Sequence, residues 1–404
     1  MIQVALQERP VSYMATIITL LMIYSVAQYI LSVEHFDIMS RTLAVRDIYP
    51  LRDDATGALK CRVGNSVIVF EVMCDGVHSA LRVYIRPHRN LRAIYGENYY
   101  PQELLVSSTD AASTLADVVL CEWHEGESLQ CVIEQNSQNR AKMEALSHLF
   151  EEFALSLLNE SWAHGDLKPE NIIFSPKGLH LIDFDAMFRP NFTIADCVEI
   201  GTCQYQHPQR DISIFDKNID DYPVALLTTV LAALSLDSSL GRCLSENDYL
   251  LIQPNLAVAG EDKMLDRIER LFAERGDARH YRIARLLRSS TPALPQLKSL
   301  LASPVCEADS TEGLALEYGN DGWGYTKDGV FVISPIYDLA FEFSEGLGLV
   351  RVADVWHFID EKGRAVITCG RGEGIKPFRN GITRMNRDGG EVIIHIDGRI
   401  EEVK

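Results

Sequence analysis

The sequence predicts an α+β chain that ends in a small all-β repeat domain. Two observations carry this. Between residues 60 and 85 β-branched and polar residues alternate, and from Gln138 to Glu160 apolar residues recur at helical spacing. From residue 313 onward the chain is self-similar at spacings of 33 to 37 residues, the mark of a repeat architecture.

Composition narrows the class. The chain has 404 residues, too many for one compact core; at roughly 150 residues per domain it holds two to three domains. With 47% apolar and 24% charged residues, it is not a disordered, collagen-like or polytopic membrane chain. The balance of 38 basic and 57 acidic residues gives −19, which disfavours wrapping nucleic acid. It leaves ATP open, because a nucleotide site needs only local positive charge and a metal ion. The nine cysteines are scattered, and no two form a CxxC pair. A reducing compartment, without disulfides or zinc, is the simplest expectation.

The elements follow in order. Residues 11–33 carry no charge, and as a helix their roughly 34 Å would span a hydrocarbon core. The flanks hold no Lys/Arg cluster to set orientation. A single membrane anchor, a helix packed on the next domain and a true start at Met39 all remain open. KCRVGNSVIVFEVM (60–73), HSALRVYI (78–85) and DVVLC (117–121) read as strands, and EWHEGESL (122–129) reads as a loop. Met143, Leu146, Leu149, Phe150, Phe153 and Leu157 make one face of an amphipathic helix. Short β segments at IIF (172–174) and LHLIDF (179–184) flank the turn SPKG. YPVALLTTVLAALSL (222–236) is a buried helix, more helices run to Leu301, and 302–312 is a linker. In the last part, WGYTKDG (323–329) recurs as WHFIDEKG (356–363) and weakly as IIHIDGRI (393–400). FSEG (343–346) recurs as FRNG (378–381). Each unit reads as β-hairpins, with Trp323 and Trp356 as core residues at equivalent positions.

The richest stretch is HGDLKPENIIFSPKGLHLIDFD, residues 164–185. Phosphoryl transfer needs neutralised phosphates, held metal ions and a carboxylate that orients the attacking hydroxyl. Asp166 can accept the hydroxyl proton, and Lys168 can reach the moving phosphoryl group. Asn171 is a neutral oxygen ligand suited to Mg²⁺, and Asp183 supplies a carboxylate ligand.

On these residues the chain resembles the protein-kinase superfamily. HGDLKPEN matches H-R-D-L-x-x-x-N with Gly165 for Arg, and DFD matches DFG with Asp185 for Gly. ALRVY (80–84) falls where the lysine of V-A-I-K stands, so Arg82 takes its place. RVGNSVIV (62–69) aligns with the glycine-rich loop, keeping Gly64 and Val69. Glu122 and Trp123 open a segment similar to the hinge whose backbone meets adenine. GTCQYQHPQR (201–210) resembles the end of an activation segment, with Gln209 where Glu is usual. DDYP (220–223) resembles the start of a core helix. DFDAMFRP followed by YQHPxR is similar to a bacterial subgroup of Ser/Thr protein kinases.

The resemblance covers about residues 55–300. It implies a bilobal protein-kinase-like fold: an N-terminal apolar segment at 1–38, an N-lobe at 39–135 and a C-lobe at 136–301, with Mg-ATP between the lobes. The β repeats at 313–404, with Trp323-Gly324, are similar to WG-type repeats, which implies an interaction module. The implied activity is ATP- and Mg²⁺-dependent phosphorylation of Ser/Thr hydroxyls on a protein substrate. It implies no nucleic acid and a cytoplasmic location, with or without the anchor at 11–33.

The departures have physical meaning. Arg82 keeps the charge but is larger than an ammonium. Glu97 and Glu103 are the candidates for its glutamate partner. Gly165 removes the arginine that reads a phosphorylated activation loop. Asp185 either stiffens the metal loop or adds a third ligand. Two other functions stay open. One is a pseudokinase scaffold that binds nucleotide without turnover. The other is a small-molecule phosphotransferase, because HGD, Asn171 and DFD also resemble the loop of aminoglycoside and choline kinases.

Overall fold

A computed structural model describes residues 24–107, 112–244, 250–302 and 314–403. The chain forms two compact units, Met1–Glu125 and Gly126–Lys404. The boundary lies ten residues before the expected division at 135/136. The expected linker at 302–312 lies, apart from Ala302, outside the described residues.

The first unit opens with helices α1 (Val26–Glu34) and α2 (Phe36–Met39). Its strands are β1 (Ile48–Pro50), β2 (Cys61–Val63), β3 (Val67–Cys74) and β4 (Val77–Tyr84). The short helix α3 (Leu91–Tyr95) precedes β5 (Tyr99–Val106) and β6 (Thr114–Glu122). The sheet order is β1-β3-β4-β6-β5, with β2 on β3, and every pairing is antiparallel. Alternation sorts the faces. Ile68, Phe70, Val72, Leu81, Val83 and Val118 point into one core. Tyr29, Val33 and Phe36 cover it from α1 and α2.

For its described part, the segment 11–33 follows the packed-helix alternative. Residues 11–23 lie outside the described residues. The remainder starts a helix of nine residues whose Tyr29 and Val33 are core side chains on a sheet. Among the described residues no helix is long and apolar enough to cross a membrane.

The glutamate candidates also resolve. Glu103 lies on β5 and is 1% exposed. Its carboxylate accepts from the backbone N–H of Arg41, Thr42 and Leu43 at 2.9, 2.7 and 2.7 Å, and from the Thr42 hydroxyl at 2.6 Å. It therefore anchors the segment that leads into the sheet. Glu97 is exposed in the turn after α3.

The second unit begins with β7 (Glu127–Ser128), α4 (Leu129–Asn136) and α5 (Arg140–Asn159). Strands β8 (Ile172–Ser175) and β9 (Gly178–Leu181) form the hairpin expected around SPKG. Helix α6 (Asp221–Leu236) is buried from Asp221 through Leu234, as its all-round apolar sequence predicts. Met143, Leu146, Phe150, Ala154 and Leu157 of α5 pack in the same core. Helices α7 (Pro254–Ala259), α8 (Lys263–Arg275), α9 (Ala278–Leu286) and α10 (Leu297–Leu301) complete the helical part.

The repeats are three antiparallel sheets. The first is β10 (Ala315–Tyr318), β11 (Trp323–Lys327) and β12 (Val330–Tyr337). The second is β13 (Leu339–Ala340), β14 (Gly348–Val352), β15 (Val355–Ile359) and β16 (Ala365–Arg371). The third is β17 (Ile382–Arg387), β18 (Gly390–His395) and β19 (Ile400–Glu402). The equivalences read from sequence hold in space. Tyr325 packs on Phe343 with ring centroids 4.8 Å apart, and Phe358 on Phe378 at 4.0 Å. Glu345-Gly346 and Asn380-Gly381 all take positive φ, the demand of a tight turn. The Glu345 carboxylate accepts from the Asn380 and Gly381 N–H groups at 2.6 and 2.9 Å, which locks one repeat's turn onto the next. Trp356 is 7% exposed and donates to the Gly372 carbonyl, a core role. Trp323 is half-buried and meets Tyr318 edge-on.

The repeats are fastened to the helical part of their unit. His357 is fully buried, and its Nε2–H donates to the Ala273 carbonyl of α8 at 2.7 Å. Burial pushes its pKa down to about 4. The sign follows: the imidazole stays neutral in the fold while the unfolded chain protonates below 6.5. Stability is full above pH 6.5 and is lost as pH falls toward 4, by about 3 kcal/mol over that window. Urea unfolding of the full chain across pH 7 to 4 is expected to include this loss, and His357→Gln to make the decline between pH 6.5 and 4 shallower. An unchanged slope in the variant would contradict the account.

Candidate active site

The loop after α5 is held by the start of α6. Asp220 is 1% exposed, and its carboxylate accepts from the backbone N–H of His164 at 2.5 Å and of Gly165 at 2.9 Å. His164 Nε2–H donates to the Ile182 carbonyl at 2.8 Å, which leaves Nδ1 to accept from the Asp166 N–H at 3.3 Å. The loop and the Ile182–Asp183 segment are thus tied together.

Gly165 has a structural reason of its own. Its φ is +84°, and a Cβ there would stand 2.0 Å from the Ala186 carbonyl oxygen. Its own carbonyl accepts from Arg210 Nη1 at 2.8 Å and Gln206 Nε2 at 3.3 Å. Side chains from the 201–210 segment therefore fix the loop from the other side.

Asp166 is 8% exposed and sits among donors. One oxygen accepts from the Thr202 N–H at 2.6 Å. The other lies 3.2 Å from Lys168 Nζ and 3.1 Å from Asn171 Nδ2. Burial alone would raise its pKa. The Lys168 charge and the bonds from Thr202 outweigh burial and hold it below the ordinary value, so Asp166 is anionic at neutral pH. Lys168 Nζ also donates to the Thr202 hydroxyl at 2.8 Å. Asp166, Lys168 and Asn171, chosen from sequence, thus converge on one another. Thr202, Gln206, Arg210 and Asp220 position them; sequence offered only their segments, as an activation-segment end and a helix start.

Asp183 has φ +67°, a left-handed backbone that Asp tolerates better than most residues. Asp185 is 7% exposed in the following turn. Glu199 stands within the charge field of these groups. Its pKa is raised to about 7, by desolvation first and then by Asp185, Asp183 and Asp166. The residue as a whole is exposed, so water screens part of that effect.

The metal fit is a sparse one. Both bonds made by the Asn171 side chain use Nδ2, which leaves Oδ1 as an oxygen ligand. Among the described residues no three His, Cys, Asp or Glu side chains form a metal-holding group. Asn171 and Asp183 suit a cation that takes its remaining ligands from phosphates and water, which is the habit of Mg²⁺.

In the first unit, Val69, Arg82 and Val119 are register partners across β3, β4 and β6, on the face opposite Ile68 and Leu81. Arg82 is 6% exposed, and its guanidinium lies 5.7 Å from the Tyr95 ring centroid and 5.8 Å from that of Tyr84. Gly64 turns the chain between β2 and β3, its N–H donating to the Val67 carbonyl. Glu122 is the exposed end of β6, and Trp123 stacks on His78 with centroids 5.1 Å apart.

Residues 325–356 match the WG containing repeat family. This places a WG-type repeat across β11 to β15, within the region whose periodicity is visible in sequence. No curated protein matches the chain. The eight cysteines among the described residues are all free thiols.

Proposed function

We propose that the chain is a kinase-like phosphotransferase. It moves the γ-phosphate of Mg-ATP to Ser or Thr hydroxyls of a protein substrate, and its WG-type repeats serve as an interaction module. The observation that carries this reading is the Asp166–Lys168–Thr202–Asn171 cluster. A buried carboxylate is kept anionic within reach of a lysine and the donating amide nitrogen of Asn171, and the loop is held from two sides.

Asp166 orients the attacking hydroxyl and takes its proton. Lys168 stabilises charge on the transferring group, and Asn171 with Asp183 would hold Mg²⁺. Mg²⁺ would neutralise the phosphates. Such fixed charges need no reorganisation at the moment of transfer, which is where electrostatic catalysis gains. Arg82 would meet phosphate as a bidentate partner. Gly64, Val69, Glu122 and Trp123 would line the nucleotide.

The engagement of Arg82 with two tyrosine rings favours one second reading, a scaffold that binds nucleotide without turnover. Acceptor chemistry tests the substrate class. Labelled γ-phosphate recovered as phosphoserine or phosphothreonine from generic protein substrates supports the proposal. Label recovered only on an added amino sugar or choline would replace it with the small-molecule reading.

A further inference from the structure

A groove of about 270 Å³ lies where the α8–α9 corner meets the β15–β16 turn. Its floor is apolar, with Ile333, Ile336 and Tyr337 from β12 and Ala278 and Ala365 beside them. Its rim is cationic: Arg275 and Arg279 from the helical side, Lys362 and Arg364 from the repeat turn.

The charges are not all spent. Arg279 pairs with Glu151 at 2.7 Å, and Arg364 with Asp360 at 2.6 Å. Asp277, the one acid on the lining, is engaged by His280 at 2.7 Å. Arg275 and Lys362 are exposed and make no ion pair among the described residues. The turn that presents Lys362 is rigid, because Asp360 accepts from the backbone N–H groups of Lys362 and Arg364 at 2.9 Å each. The helical corner is equally fixed by the bond from buried His357 to Ala273.

A positive excess here is unexpected in a chain of net charge −19. At physiological salt, charges beyond about 8 Å are largely screened, so a visiting group responds to the rim rather than to the whole molecule. The volume lies just under the roughly 300 Å³ at which drug-sized ligand pockets begin, which suits one or two side chains.

We infer that this groove docks an acidic segment of a partner polypeptide, with an apolar side chain on the floor and flanking Asp or Glu carboxylates on Arg275 and Lys362. The inference rests on the repeats being an interaction module and does not require phosphotransfer. It names the surface and the partner's chemistry.

The test uses the full chain and a short fluorescein-labelled peptide of glutamates around a central leucine, read by anisotropy. The wild type is expected to bind the peptide and to lose affinity as salt rises. Arg275→Glu with Lys362→Glu should weaken binding by at least about tenfold. Both substitutions are on exposed side chains, and an unchanged melting temperature confirms the fold. A polylysine peptide of equal length should not compete. Absence of binding by the wild type at low salt would overturn the inference. So would equal binding by the double variant, which would send acidic partners to another face of the repeats. Neither result depends on nucleotide, so failure here is separable from failure of the phosphotransfer reading.

Discussion

Asp183→Asn is expected to remove phosphate transfer, by on the order of a thousandfold or more, while the melting temperature moves by no more than about 3 °C. The two parts of this expectation have separate reasons. Asn has nearly the volume of Asp and, like it, tolerates the left-handed backbone that residue 183 adopts. The local chain therefore has no cause to rearrange. The amide, however, carries no charge, and in the proposed site a divalent cation that relies on few protein ligands would lose the Asp183 carboxylate. Near-normal turnover in a folded Asp183→Asn protein would remove Asp183 from the metal site.

Gly165→Ala should do the opposite and damage the fold and the activity together. The added Cβ would sit 2.0 Å from the Ala186 carbonyl oxygen and 2.7 Å from its carbon, both backbone atoms that cannot swing aside. With the strained φ, the cost is roughly 3 kcal/mol or more, and the melting temperature should fall by about 10 °C. Gly260 supplies the control. Its φ of +78° is similar, but a Cβ there meets nothing within 4 Å, so Gly260→Ala isolates the backbone part alone. Equal melting shifts for the two variants would contradict the steric account.

The parts of this protein that local pattern encodes were readable in its sequence. The alternation in residues 67–74, the helical stripe in α5 and the unbroken apolar run of α6 each state their burial directly. The repeat pattern was also visible, since Phe343 and Phe378 follow Tyr325 and Phe358 by 18 and 20 residues. The clustering of Asp166, Lys168 and Asn171 was legible because they sit within six positions of one another. Thr202 and Asp220 were not, for their contacts span 36 and 56 residues and no spacing rule reports such closure. The start of α1 illustrates another limit. An uncharged stretch is compatible with lipid or with a sheet face, and only the docking of Tyr29 and Val33 decides for the described part. Glu103 shows the same limit for charge, because a buried carboxylate serving three backbone N–H groups looks in sequence like any surface glutamate.

The most direct test of the phosphotransfer reading is intact-mass detection of phosphate transfer from Mg-ATP, beside Asp166→Ala. The full chain is incubated with generic protein substrates, and nucleotide binding is measured in parallel. Phosphate on the substrate or on the chain itself, reduced on the order of a thousandfold in Asp166→Ala, is the predicted result. Bound nucleotide with no transfer by the wild type, or transfer that survives Asp166→Ala, would contradict it.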